Sequence, residues 1–221
     1  QAYWTANVGA NVNYSYVTTI GTSAGSFGQS VKTNANGSVV IVGAPSANTA
    51  KTQNGNVYVY TRTANSFALS QTLTSQYQNS YANFGTSMDI DSAGTNLFIG
   101  VPGSTSAGYA NGEVERYTLS GTTYVYNETL SHPFGDIGTF GTSLSVSSDA
   151  DLLAVGSVGS PSQETTTFDT GLMTIDSATT KFVDYIFNSG TTYLFQMLTD
   201  YTTNGTGEYV YTQDRKSTRL N

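Results

Sequence analysis

FGTSMDIDSAGTNLFIGVPG, residues 84–103, joins a Phe-Gly start, an acidic turn, an apolar run and a Gly-Val-Pro exit. The same order occurs twice more. FGQSVKTNANGSVVIVGAP begins at Phe27 and FGTSLSVSSDADLLAVGSV at Phe140, giving steps of 57 and 56 residues. In every copy a marker glycine, Gly43, Gly100 or Gly156, follows the phenylalanine by 16 positions. A spacing kept three times marks a repeated structural unit rather than a single site.

Each copy reads as a run of short strands. A strand leaving the Phe-Gly leads to a polar turn at 34–37, 91–95 or 147–149. A continuously apolar strand follows (Val39 to Val42, Leu97 to Ile99, Leu152 to Val155), the pattern of an inner strand covered on both faces. Gly-Ala-Pro or Gly-Val-Pro stops it in the first two copies, because proline cannot donate to a ladder and glycine permits a sharp exit. GNVYVYT (55–61) and GEVERYT (112–118) supply a third strand, and SFALSQTL (66–73) and TTYVYNETL (122–130) a fourth. Four strands in about 56 residues is the size of one propeller blade.

Phe-Gly, then Gly-Ala-Pro, then a Gly-x-Val-Tyr-Val-Tyr strand resembles the FG-GAP repeat of integrin-α-type β-propellers. The resemblance covers nearly the whole chain. The second copy departs from it at Val101, and the third at Ser157 and Val158. It implies an all-β fold, a partial β-propeller of about three four-stranded blades plus half a blade. Residues 1–26 would end a preceding blade, with NYSYVTTI (13–20) as its fourth strand, and 27–83 and 84–139 would be whole blades. Residues 140–213 would form a blade enlarged by an insertion at about 159–189. In that blade GTTYLFQ (190–196) aligns with the third strand and GEYVYTQ (207–213) with the fourth; the rival alignment places GLMTID (171–176) third. The last eight residues, DRKSTRLN (214–221), resemble a translated sequencing adapter and are expected to be non-native.

Composition limits the function classes. Charged residues make up 10% of the chain and the net charge is −7, which argues against a nucleic-acid or anionic-membrane surface. No apolar run approaches a membrane span. There is no cysteine, so disulfides and thiolate metal sites are excluded. Four Asn-x-Ser/Thr sequons, at Asn13, Asn36, Asn127 and Asn204, lean toward a glycoprotein on an extracellular, cell or virion surface.

Candidate chemistry is sparse. The resemblance implies calcium loops, and in the equivalent turns paired carboxylates occur only at Asp89 with Asp91 and at Asp149 with Asp151. His132 stands in a connector without a sequence-adjacent partner and reads as an ordinary loop residue, while Glu113, Glu115 and Arg116 read as surface charge on a strand. Ser30, Ser87 and Ser143 each follow a repeat phenylalanine by three, and that repetition marks them as scaffold. Most of the 16 tyrosines fall in strands and are expected to pack between blades; Tyr77, Tyr81 and Tyr109 fall in loops and would suit ligand contact. The expectation is a non-catalytic module for protein or glycan adhesion, binding through the loops at 44–54, 101–111 and 159–189. The alternatives are a structural subunit that self-assembles through open blade edges in an extracellular filament or virion surface, and a carbohydrate-active enzyme domain.

Overall fold

The computed structural model describes residues 15–104, 111–132, 138–158, 191–199 and 207–211. Asn13, Tyr109, Asn204, the expected insertion over 159–189 and the tail lie outside them. The described residues form three four-stranded antiparallel sheets and no helix. The first contains β1 (Ser30–Thr33), β2 (Val39–Ala44), β3 (Asn56–Thr63) and β4 (Ser66–Leu73). The second contains β5 (Met88–Ile90), β6 (Asn96–Val101), β7 (Glu113–Ser120) and β8 (Thr123–Ser131). The third contains β9 (Thr139–Val146), β10 (Leu152–Val158), β11 (Thr191–Thr199) and β12 (Gly207–Tyr211).

Strands pair in chain order in every sheet, so each is a simple meander. In the third, β11 lies along β10, with Val155 opposite Tyr193. The strand expected over 13–20 is not found in its described part: residues 15–20 carry no regular structure, having no ladder partner among the described residues.

The apolar strands explain the stacking. On β6, Leu97 and Ile99 face one way and Phe98 the other, and all three are fully buried. Leu97 and Ile99 pack with Ile41, Val57, Val59 and Leu73 of the first sheet, around Phe84. Phe98, Val114 and Leu130 pack with Phe140, Leu153, Val155 and Tyr193 on the third-sheet side. The second sheet is therefore covered on both faces, as its unbroken apolar run required.

The two interfaces are joined by matching hydrogen bonds. Ser30 Oγ donates to the Gly85 carbonyl and Ser87 Oγ to that of Gly141, both at 2.6 Å. The Ala35 amide donates to Ser92 O at 3.1 Å, and the Ser92 amide to Ser148 O at 3.0 Å. The Phe84 amide donates to Asn54 O and the Phe140 amide to Asn111 O, each at 3.0 Å. At the crossing point the marker glycine is obligatory: a Cβ on Gly43 would collide with Gly85 O and Ser30 Oγ, and one on Gly100 with Gly141 O and Ser87 Oγ. The repeat phenylalanines occupy like slots, each edge-on to third-strand aromatics of its own sheet. Phe27 lies 6.4 Å from Tyr60, Phe84 6.2 Å from Tyr117 and Phe140 5.8 Å from Phe195, three matching positions.

Candidate functional site

The exposed loop tyrosines stand on a rim where three segments are tied together. Residues 74–87 connect the first sheet to the second, and within them Tyr81 takes a positive φ of 62°. Its amide donates to Thr52 O at 2.7 Å in the β2–β3 loop, and Asn83 N donates to Gln53 O at 3.1 Å in the same loop. On the other side Gly103 N, in the β6–β7 loop, donates to Ala82 O at 3.0 Å. The β2–β3 loop is itself pinned, since Asn54 Oδ1 accepts from Thr49 N at 3.1 Å and Asn48 Oδ1 from Gln53 N at 2.7 Å. The side chain of Tyr81 is 60% exposed on this braced backbone and that of Tyr77 46%. Two expected loops, 44–54 and 101–111, thus meet at one place through Thr52 and Gly103, with the connector between them.

The charged residues of β7 are not on the surface, which corrects the expectation for Glu113, Glu115 and Arg116. All three are buried, because β7 is an inner strand whose two faces meet the first and third sheets. The Glu115 carboxylate accepts from Ser75 Oγ at 2.5 Å, Tyr117 Oη at 2.6 Å and the Gln76 amide at 3.0 Å. Burial raises its pKa above the ordinary glutamate value, and those hydrogen bonds oppose the rise. Glu113 is also raised by burial, with Ser104 Oγ donating to it at 2.8 Å and acting against the shift. Burial, and then the nearby Glu115, raise the pKa of Tyr117. On the opposite face, Arg116 Nη1 donates to Glu128 Oε1 at 2.8 Å and Nη2 to Asn96 Oδ1 at 2.9 Å. Glu113 and Glu115 thus anchor the rim segments to β7 through Ser104, Ser75 and Gln76, while Arg116 is held within its own sheet by Glu128 and Asn96.

His132 lies in the connector just after β8, as the sequence reads, but it is buried rather than an ordinary polar loop residue. Its Nε2 lies 2.8 Å from Tyr193 Oη, and its ring stands edge-on to Phe140 at 5.7 Å. The partner is 61 residues away in the chain, so nothing local in the sequence marks it.

The acidic turns are built as caps. Asp91 accepts from the Thr95 amide at 2.7 Å and the Asn96 amide at 3.0 Å. At the same place in the other copies Asn34 Oδ1 accepts from the Val39 amide at 3.1 Å, and Ser147 Oγ from the Leu152 amide at 3.0 Å. Three different side chains close one turn, so the acid in the second copy performs a task that neutral groups also perform. Asp89 spans both interfaces, pairing with Lys32 at 3.1 Å and accepting from the Val146 amide at 2.7 Å. Asp149 is fully exposed and caps its own turn: its Oδ1 accepts from Ser147 Oγ at 2.6 Å and from the Asp151 amide at 3.2 Å. Among the described residues no group of three or more carboxylate or imidazole side chains converges as a calcium site would require.

Of the sequons within the described residues, Asn36 is exposed in the β1–β2 turn and Asn127 is exposed on β8. Asn127 is the extra residue of a bulge opposite Arg116 and Tyr117, and Ser70 occupies the matching bulge in the first sheet. Among the described residues no helix is long and apolar enough to cross a membrane. No protein-family model matches the sequence, and comparison with curated proteins likewise gives no match.

Proposed function

We propose that the chain is part of a β-propeller of the FG-GAP type, acting as a non-catalytic module that holds a protein or glycan ligand on its loop rim at an extracellular or virion surface. The observation that carries this reading is the repeated interface, in which the same serine, glycine and phenylalanine positions join each sheet to the next. A stack made from one repeated joint is how a propeller propagates around its axis. Recognition belongs on the loops of such a frame, where the cost of ordering is already met. Tyr77 and Tyr81 give the rim exposed apolar area with hydrogen-bonding tips, suited to a sugar face or a peptide.

The test is a binding screen of the purified chain on an immobilised glycan panel and on a surface-protein panel, repeated with Tyr81→Ala and Tyr77→Ala. The expected outcome is binding that falls roughly tenfold, about 1.4 kcal/mol, with either substitution while the unfolding midpoint is unchanged. Hydrolysis of a polysaccharide that Glu113→Gln or Glu115→Gln abolishes would replace this reading with an enzyme.

A further inference from the structure

We propose that the outward face of the third sheet is a socket for the first sheet of a second copy of this chain, so that copies associate head to tail. The inference rests on the joint between sheets and is independent of what the loop rim binds.

Both joints have a receiving half and an inserting half. The receiving half is a serine hydroxyl, a marker glycine and apolar residues on the second and third strands: Ser30, Gly43, Ile41 and Val59 in the first sheet. The third sheet carries the same half. Ser143 and Gly156 stand at the matching places, and Ala154 lies opposite Leu194 as Ile41 lies opposite Val59. Nothing among the described residues fills it. Ser143 is exposed and its Oγ makes no hydrogen bond among the described residues, whereas Ser30 and Ser87 are spent on the next glycine carbonyl. Gly156 is half-buried where Gly43 and Gly100 are buried, and Leu152, at the start of β10 on the same face, is 42% exposed.

The opposite end of the molecule carries the inserting half. Gly28 stands where Gly85 and Gly141 stand, yet a Cβ there would meet open space, while one on Gly85 would press on Val57. Val31 is 53% exposed although its counterpart Met88 is 2% exposed. The ladder of turns is open in the same sense: Ala35 N to Ser92 O and Ser92 N to Ser148 O leave an acceptor, Ala35 O, at one end and a donor, Ser148 N, at the other. The partner that the socket fits is a Phe-Gly turn with an available glycine carbonyl followed by an apolar strand. This chain presents that element itself. Because the two surfaces are complementary but different, the contact is heterologous, and successive copies either extend or close into a ring.

Sedimentation velocity over a wide concentration range tests this with Val31→Lys and Ala154→Lys. Val31 is exposed and Ala154 half-buried on the open face, so neither substitution should disturb the single chain. Their counterparts, Met88 on one side and Ile41 and Phe98 on the other, are buried in the formed joints, so each substitution would bury an ammonium without a partner. The wild type should grow past the dimer with concentration, and each variant alone should remain monomeric. An equimolar mixture of the two variants should form a one-to-one dimer and nothing larger, since one intact joint can form between them. A wild type that stays monomeric, a single variant that still associates, or a mixture that does not pair overturns the proposal. A monomeric wild type whose ligand binding still depends on Tyr81 would remove the socket and leave the loop-rim reading in place.

Discussion

Between the first and second sheets Ser75 meets the carboxylate of Glu115; between the second and third, at the same places in the repeat, His132 meets the hydroxyl of Tyr193. Ser75 and His132 each lie two residues beyond a buried leucine, Leu73 or Leu130, and Glu115 and Tyr193 lie opposite Ile99 and Val155. One joint therefore buries an acid among donors and the other an imidazole among aromatic rings. What does not vary is the backbone plan: the serine on the glycine carbonyl, the marker glycine and the phenylalanine slot. The difference separates what the stacking geometry demands from what a buried pair must merely satisfy, since any side chain that finds a hydrogen-bond partner there is tolerated.

The phenylalanine slots give the largest expected contrast. Phe84→Ala removes a fully buried ring and should cost about 3–5 kcal/mol in urea unfolding, whereas Phe27→Ala, at a partly exposed slot, should cost clearly less. Equal losses would mean that the first slot is as closed as the second. Next come the marker glycines. Gly100→Ala drives a methyl group against the Gly141 carbonyl and should cost about 1–3 kcal/mol. Gly156→Ala meets only the side chain and backbone of its own neighbour Ser143, whose hydroxyl can turn away, and should cost less than about 1 kcal/mol.

A smaller effect separates the three turns. Gly37 and Gly94 hold positive φ angles of 67° and 79°, while the third copy places Ala150 at 60°. Ala150→Gly should raise the unfolding midpoint, by about 0.5–1 kcal/mol of stability, because an alanine is strained in that conformation. The joint with the buried acids should also respond to pH. Folded Glu113 and Glu115 keep a proton that the unfolded chain has already released, so their contribution is complete below the ordinary glutamate range and is lost as pH rises through the raised folded values. Unfolding measured from acid to neutral pH should show stability falling over that window, and Glu113→Gln with Glu115→Gln should flatten the slope.

Strand order and the repeat were legible in the sequence because each depends on local pattern. SFALSQTL gives β4 over its full length, and the Phe-to-glycine spacing foretells the like phenylalanine slots. The scaffold role of Ser30 and Ser87 was legible too, although the acceptor each serine finds was not. Burial of β7 was missed because Glu113, Glu115 and Arg116 look like surface charge when read singly. Aligned to the repeat, they occupy the places of Asn56, Tyr58 and Val59 on an inner strand, and that signal was present. His132 carried no comparable signal, since Tyr193 belongs to the next sheet. Asp91 misled in the opposite way: the acid resembles a metal ligand until Asn34 and Ser147 are seen to cap the same turn.

Equal stacking of the three sheets is open to direct measurement, because the chain has no cysteine and spin labels can be placed freely. Asn36, Ala93 and Asp149 occupy matching exposed positions in the three turns. Labels in the pairs 36/93 and 93/149 should show strong dipolar broadening of the same size, as expected for turns joined by the backbone hydrogen bonds from Ala35 to Ser92 and from Ser92 to Ser148, and 36/149 should show a clearly longer separation. Broadening in one adjacent pair but not the other would contradict the repeated joint.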